Sequence, residues 1–152
     1  VAHATAKKPV YISGTGWGSA NSIIERRDHA FSEGTAIAAK MALEEAGVEN
    51  PAEAFDVFYL NDIYAHRQLI HMEALGLSDE QLPVINPDGG SLGMGDLIEA
   101  NSGARFYDAV KQLRGDAGGH QVDGAARALV HGWRGLPTDT CAVTCLDAER
   151  RA

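Results

Sequence analysis

Along the chain, short apolar runs alternate with longer amphipathic segments. The short runs are rich in β-branched and aromatic residues, which is typical of strands. Alternate positions of the last run place Cys141, Val143 and Cys145 on one face. Five strands are predicted, over residues 9–14, 55–60, 83–85, 125–131 and 140–146.

Three helices are predicted between these strands, over residues 29–46, 64–76 and 99–113. Gly47 is expected to end the first helix, because glycine readily adopts the left-handed conformation of a C-cap. The third helix begins with small residues, which suits a helix buried between two sheets. These small residues are Ala100, Ser102, Gly103 and Ala104.

The resulting order, βαβαβαββ with short loops, predicts a layered α/β domain with a mixed sheet. A chain of 152 residues with 45% hydrophobic residues supports one domain, residues 1–152, with a substantial core. No segment is long and apolar enough to predict a membrane span. The net charge of −8 argues against nucleic acid or anionic lipid as the main partner.

The chain begins with Val1 and has only two cysteines, Cys141 and Cys145. Because the first residue is not methionine, we expect the sequence to be a fragment or a processed subunit. Four residues apart on one predicted strand, the cysteines are poorly placed to bond each other, so reduced thiols in the cytoplasm are expected. On a predicted inner strand they should be inert.

Two glycine-rich segments invite a ligand-binding interpretation. Residues 14–18, Gly-Thr-Gly-Trp-Gly, begin like a dinucleotide loop, but Ser19 stands where the third glycine is required, so no nucleotide site is expected. Residues 86–96, Asn-Pro-Asp-Gly-Gly-Ser-Leu-Gly-Met-Gly-Asp, predict a tight turn. This second segment is either shaped for a ligand or an ordinary connection.

Three motifs carry a resemblance to a known family: Asn-Pro-Asp-Gly-Gly at 86–90, Gly-Met-Gly at 93–95 and Ser-Gly-Ala-Arg at 102–105. They resemble the C-terminal half of the thiolase superfamily, in its lipid-transfer-protein and archaeal branch. The resemblance implies one half of the thiolase fold, and substrate contacts from Gly90, Gly93, Met94 and Gly95. The family's catalytic histidine is replaced by Asp96, and its cysteine base by Val130.

Asn61 begins the segment Asn-Asp-Ile-Tyr-Ala, which resembles the family's Asn-Glu-Ala-Phe-Ala. The family's asparagine holds a water or donates toward a thioester oxygen, and an amide at a strand end suits that role. The alternative is a turn asparagine that caps the next helix, with Asp62 helping at its N-terminus.

Asp96 and His131 are the other catalytic candidates, and each has a structural alternative. Asp96 and Glu99 have the spacing of a capping box, whereas a buried Asp96 with a raised pKa would act as a base. His131 ends a predicted strand beside Gly132, where an imidazole is either an acid–base group or a satisfied structural histidine.

No metal site is predicted. His66 and His71 are five residues apart, which does not bring them onto one helix face. Arg105 and Arg114 are expected to be surface or capping charges.

The resemblance implies Claisen-type carbon–carbon bond cleavage or formation on coenzyme A thioesters, as half of an acyltransferase of lipid metabolism. The thioester would be a substrate, with no covalently bound cofactor. The family's nucleophilic cysteine belongs to the N-terminal half, so a partner chain or a missing region, and an oligomer, are expected. The alternatives are an aldolase-type lyase on acyl-CoA and a non-catalytic scaffold subunit of an acyl-CoA-processing complex.

Overall fold

The computed structural model describes residues 8–135 and 138–150, which form a four-stranded mixed sheet covered by helices on both faces. The strand order is β1-β4-β3-β2, in which β4 is antiparallel to both neighbours and β2 is parallel to β3. The strands are β1 (Tyr11–Ser19), β2 (Val57–Tyr59), β3 (Arg127–Trp133) and β4 (Thr140–Asp147). The predicted fold class, α/β with a layered mixed sheet, is confirmed.

Five α-helices connect the strands within the described residues, together with four short 3-10 turns. The helices are α1 (Glu33–Ala46), α2 (Pro51–Ala54), α3 (Ala65–Ala74), α4 (Gly90–Met94) and α5 (Asn101–Arg114). The 3-10 turns are Ile24–Arg26, Asp79–Val84, Ile98–Ala100 and Gly118–His120. Gly47 ends α1 in the left-handed conformation, as predicted. The first helix begins four residues later than predicted, and α5 begins two residues later.

The sheet separates two hydrophobic clusters. Phe58, Leu60 and Leu129 belong to the cluster under α1 and α3, whereas Tyr59 and Val130 belong to the cluster under α5. This alternation follows from the pleat of β2 and β3, which sends successive side chains to opposite faces. These parts of β2 and β3 are therefore buried on both faces of the sheet.

The predicted strand over 83–85 is the main error in the element order. Residues 79–84 form a 3-10 turn, and only Ile85 makes a parallel bridge, to Phe58. The turn begins with a capping box, in which Ser78 N donates to Gln81 Oε1 at 3.0 Å and Ser78 Oγ accepts from Glu80 N at 3.4 Å. Pro83 lacks the N–H that a strand would donate, which disfavours strand pairing at this position.

The glycines of residues 14–18 continue β1 instead of forming a loop. Gly14, Gly16 and Gly18 occupy alternate positions that face α1. An ideal Cβ on Gly16 would lie 2.0 Å from the Ala38 carbonyl oxygen, which is nearer than any real contact. The three glycines let the backbone of α1 lie against the strand, which is a packing role and not a ligand-binding one.

Replacing Gly16 with alanine should therefore lower the free energy of unfolding by about 1–3 kcal/mol or more, because α1 must shift away from β1. The matched control is Gly103→Ala in α5, where a Cβ would meet nothing within 4 Å. That control should stabilise by about 0.5–1 kcal/mol through helix propensity. Urea denaturation of both variants measures the difference, and equal effects would contradict the packing role.

The small-residue start of α5 has two different sides. Ser102 packs against β3, where an ideal Cβ on Gly132 would lie 2.4 Å from the Ser102 Oγ. Gly103 is exposed, and so is Tyr107 one turn further on. On the same face of the sheet, Trp17 of β1 is 66% exposed. The α5 face therefore carries an uncovered apolar surface beside the helix.

Candidate functional site

A pocket of about 330 Å³ lies where the ends of β2 and β3 meet the segment that precedes α5. It brings together two of the three predicted catalytic residues, Asn61 and Asp96. Its lining includes Trp17, Asn61, Asp96, Ile98, Gly132 and Arg134.

Asn61 is buried at the end of β2 and is held at two points. Its backbone N–H donates to His131 Nδ1 at 3.4 Å, and its Nδ2 donates to the Trp133 carbonyl at 3.5 Å. Its Oδ1 is buried and has no hydrogen-bond partner among residues 8–135 and 138–150. Helix α3 has Tyr64 as its N-cap without a side-chain bond, so Asn61 does not cap it. The site therefore contains a fixed acceptor that a ligand or water can satisfy.

Asp62 holds the glycine-rich segment in place. Its carboxylate is buried and accepts hydrogen bonds from Ser91 N at 2.8 Å and Leu92 N at 3.4 Å. A Cβ on Gly90 would lie 1.9 Å from Asp62 Oδ2, so only glycine fits there. The alternative in which Asp62 helps at the start of α3 is wrong, because its carboxylate binds the backbone of α4 instead.

Gly93, Met94 and Gly95 are exposed and lie outside the lining of the 330 Å³ pocket. Met94 lines a separate cavity of about 90 Å³ with Tyr59 and Asp88. Substrate contact by these residues and by Gly90 stays a prediction. A substrate that makes this contact would have to extend beyond the 330 Å³ pocket.

Asp96 does not form the predicted capping box. Its Oδ1 accepts a hydrogen bond from Ile98 N at 3.0 Å, and α5 begins only at Asn101, with no side-chain cap. Glu99 lies 3.9 Å from Arg134 instead of reaching back. Ile98 has a φ of 54°, so the chain turns in the left-handed region before the helix. Asp96 thus stabilises this turn and remains exposed at the pocket.

His131 lies on the other face of β3, away from the pocket. Its side chain is fully buried in the cluster under α1, where Nε2 is 3.0 Å from Thr35 Oγ1. The ring of His71 lies 4.3 Å from the ring of His131, between centroids. Burial, followed by the nearby His71, lowers the pKa of His131 well below its usual value. Burial, followed by the charge of Arg67, lowers the pKa of His71 to about 4.

The two cysteines, Cys141 and Cys145, lie on β4 as predicted. Both are unpaired and buried. Burial raises the pKa of Cys141 to about 11 and that of Cys145 to about 12, so neither thiol ionises near neutral pH.

Within the described part of the chain, no group of three or more histidine, cysteine or acidic side chains is arranged to hold a metal ion. None of its helices is long and apolar enough to cross a membrane.

Arg105 is not the surface or capping charge that the sequence suggested. Its guanidinium is 3% exposed, and Nη1 lies 3.1 Å from both carboxylate oxygens of Asp88. Asp108, one turn along α5, is 3.6 Å from Nη2. Burial, followed by the Asp88 charge, raises the pKa of Asp108. Arg105 therefore ties the glycine-rich segment to α5. Arg114, at the end of α5, donates from Nε to the Lys8 carbonyl.

Residues 79–146 match the family described as thiolase C-terminal domain-like. Sterol carrier protein 2 of Oryctolagus cuniculus is 35% identical over 109 residues, which cover 62% of this chain and 20% of that protein. Acetyl-CoA acetyltransferase of Methanothermobacter thermautotrophicus is 31% identical over 138 residues, which cover 81% and 36%. The benzoylsuccinyl-CoA thiolase subunit BbsB of Thauera aromatica is 29% identical over 159 residues, which cover 91% and 41%.

A crystal structure of a monomeric SCP2-thiolase-like protein type 1 from Mycobacterium smegmatis has a similar fold. It superposes with a TM-score of 0.76 at 22% identity, and the match covers 93% of this chain and 30% of that one. The chain therefore has a thiolase-like fold, and residues 79–146 are similar to the C-terminal domain of the thiolase superfamily. It spans between a fifth and about two fifths of the length of the relatives given above.

Proposed function

We propose that the chain is one domain that forms the C-terminal half of a thiolase-type enzyme acting on coenzyme A thioesters in the cytoplasm. The reaction would be acyl transfer with Claisen-type making or breaking of a carbon–carbon bond. An N-terminal half, in a partner chain or in a region outside this sequence, would supply the nucleophilic cysteine of the family. Two similar proteins support this class of substrate, since their names are acetyl-CoA acetyltransferase and benzoylsuccinyl-CoA thiolase subunit.

The observation that carries the proposal is the buried amide of Asn61 at the pocket. Its Nδ2 is taken by the Trp133 carbonyl, which leaves Oδ1 as an acceptor without a partner in the described residues. A water bound to Oδ1 would have its second proton free to donate to a thioester oxygen. Such a preoriented donor stabilises negative charge that develops on that oxygen during Claisen chemistry. Asn61 is therefore the residue that we assign to the oxyanion site.

The position of Asp96 favours a second candidate reaction. A carboxylate stands at the pocket where the family carries a histidine, and Val130 stands where it carries a cysteine base. A carboxylate would repel an enolate, but it is able to accept a proton as a general base. An aldolase-type lyase on acyl-CoA, which does not use the cysteine base, accommodates both replacements. In either reaction Asp96 is the acid–base candidate that contacts the pocket.

The uncovered apolar surface on the α5 face supports the need for a second half. Trp17 and Ile98 line the pocket and are 66% and 78% exposed. Large exposed apolar side chains grouped beside a pocket mark an interface. We expect the native protein to be part of a larger assembly, whose mass can be measured after purification from source cells. A monodisperse single chain that unfolds cooperatively would contradict this.

The test of the enzyme proposal uses that native assembly. Asn61→Ala should lower thioester-dependent turnover by about 10²–10³-fold, the usual effect of removing an oxyanion-site group. Asp96→Asn keeps the bond to Ile98 N, so a loss of about 10²-fold or more would identify the carboxylate as the acid–base group. Full activity in both variants, with the assembly intact by native mass measurement, would favour the non-catalytic scaffold.

A further inference from the structure

We propose that His131 is a positioning residue that fixes Asn61 from behind the sheet, and does not itself exchange protons with the substrate. The proposal rests on the proposed function, in which Asn61 is the group that contacts the reacting thioester. Successive side chains of β3 point to opposite faces, and a Cβ on Gly132 would face Ser102 of α5. Gly132 and Trp133 line the pocket, whereas His131 does not. His131 therefore points into the cluster under α1, where its side chain is fully buried.

The hydrogen bonds determine which ring nitrogen of His131 carries the proton. The backbone N–H of Asn61 can only donate, so His131 Nδ1 must accept, at 3.4 Å. A neutral imidazole then carries its proton on Nε2, which donates to Thr35 Oγ1 at 3.0 Å. Thr35 belongs to α1, so the ring links the first helix to the chain segment after β2.

This ring is one of two restraints on Asn61 that come from the same strand. His131 holds the backbone N–H, and the Trp133 carbonyl, two residues along β3, holds Nδ2. Together they fix the peptide and the carboxamide, so Oδ1 keeps one direction. An oxyanion site depends on such rigidity, since a displacement of about 1 Å can cost 10²-fold in rate.

Two substitutions separate a positioning role from a proton-transfer role. His131→Asn can keep an acceptor near the place of Nδ1, because asparagine Oδ1 is as many bonds from Cα as histidine Nδ1. An amide cannot act as an acid or a base near neutral pH. His131→Leu fills the space and removes the acceptor. The comparison is made on the native assembly, with the same thioester substrate for every variant.

We expect His131→Leu to lose about 10²-fold or more in turnover, similar to Asn61→Ala, and His131→Asn to stay within about tenfold of the unmodified protein. The variant His131→Asn should also keep the pH profile of turnover. Asn61→Ala combined with His131→Leu should be little worse than either change alone, because both remove one unit. Equal losses of about 10²–10⁴-fold in the asparagine and leucine variants, or additive losses in the double variant, would overturn the proposal.

A second measurement needs no activity. The ring ¹⁵N signals of His131 in the isotope-labelled full chain should show a proton on Nε2 and none on Nδ1. The amide signal of Asn61 should shift in Thr35→Val, which removes the hydroxyl partner. The control Thr144→Val, on the opposite face of β4, should leave that signal unchanged. A proton on Nδ1 would overturn the positioning role, whereas an inactive wild-type assembly with the expected ring signals would overturn only the proposed function.

Discussion

Replacing Arg105 with methionine should lower the free energy of unfolding by about 3–5 kcal/mol. The guanidinium and the Asp88 carboxylate are both buried, at 3% and 9% side-chain exposure, and Nη1 lies 3.1 Å from each carboxylate oxygen. Removing the arginine leaves the Asp88 charge buried without its partner, and that desolvation cost produces the loss. Urea denaturation monitored by circular dichroism measures it.

Three further variants make this result interpretable: Lys40→Met, Asp88→Asn, and the double variant of Asp88 and Arg105. Lys40→Met removes an exposed ion pair with Glu44, at 3.9 Å on α1, and should change stability by only about 0.5 kcal/mol or less. Asp88→Asn combined with Arg105→Met should lose less than the sum of the two single changes, because the pair is removed as a unit. If Arg105→Met costs no more than Lys40→Met, the buried pair does not hold the glycine-rich segment to α5.

The spacing of residues in α5 was consistent with a buried Arg105, but the polar character of its neighbours on that face did not indicate burial. Asn101, Arg105, Ala109 and Leu113 recur at intervals of four, and they form the buried face of α5. Three of the five buried positions of this helix are polar, so a search for apolar residues does not show that Arg105 is buried. The partner of the arginine, Asp88, lies 17 residues earlier and becomes its neighbour only through the fold.

Local pattern was sufficient where a local cause decides the structure. The C-cap at Gly47 and the alternation of Cys141, Val143 and Cys145 depend on neighbouring residues only, and both are as predicted. The continuation of β1 through three glycines depends on the distant helix α1, which no local rule contains.

The candidate site divides in the same way. The motif resemblance identified Asn61, and the pocket at the end of β2 contains it. Strand alternation also fixes the direction of His131, because Leu129 and Trp133 share its face and Val130 and Gly132 share the other. The prediction of His131 as a catalytic residue did not take this alternation of side chains along β3 into account. The contact of Asp62 with Ser91 joins two segments that are 29 residues apart in the sequence, so only the folded structure shows it.

Acidification should destabilise the fold between about pH 6.5 and about pH 4, and the buried histidine pair should cause much of the effect. His71 and His131 are fully buried, and their rings lie 4.3 Å apart. The pKa of His71 falls from 6.5 to about 4 in the fold, and that of His131 falls well below its usual value. In this pH range the unfolded chain binds more protons than the folded one, so the free energy of unfolding decreases as the pH falls.

For His71 alone, the shift corresponds to a loss of about 2 kcal/mol between about pH 7 and about pH 5, and about 3 kcal/mol in full. Urea denaturation of His71→Gln at about pH 7 and about pH 5 should therefore show a smaller loss than the unmodified chain, by about 2 kcal/mol, whatever the variant costs at neutral pH. The control Leu69→Gln changes an exposed residue of the same helix, 56% accessible, and should keep the unmodified pH dependence. If His71→Gln keeps it as well, His71 is protonated in the folded protein at acidic pH. Its Nδ1 would then have to donate to Thr35 Oγ1, 3.0 Å away, because a charged imidazole has no acceptor nitrogen.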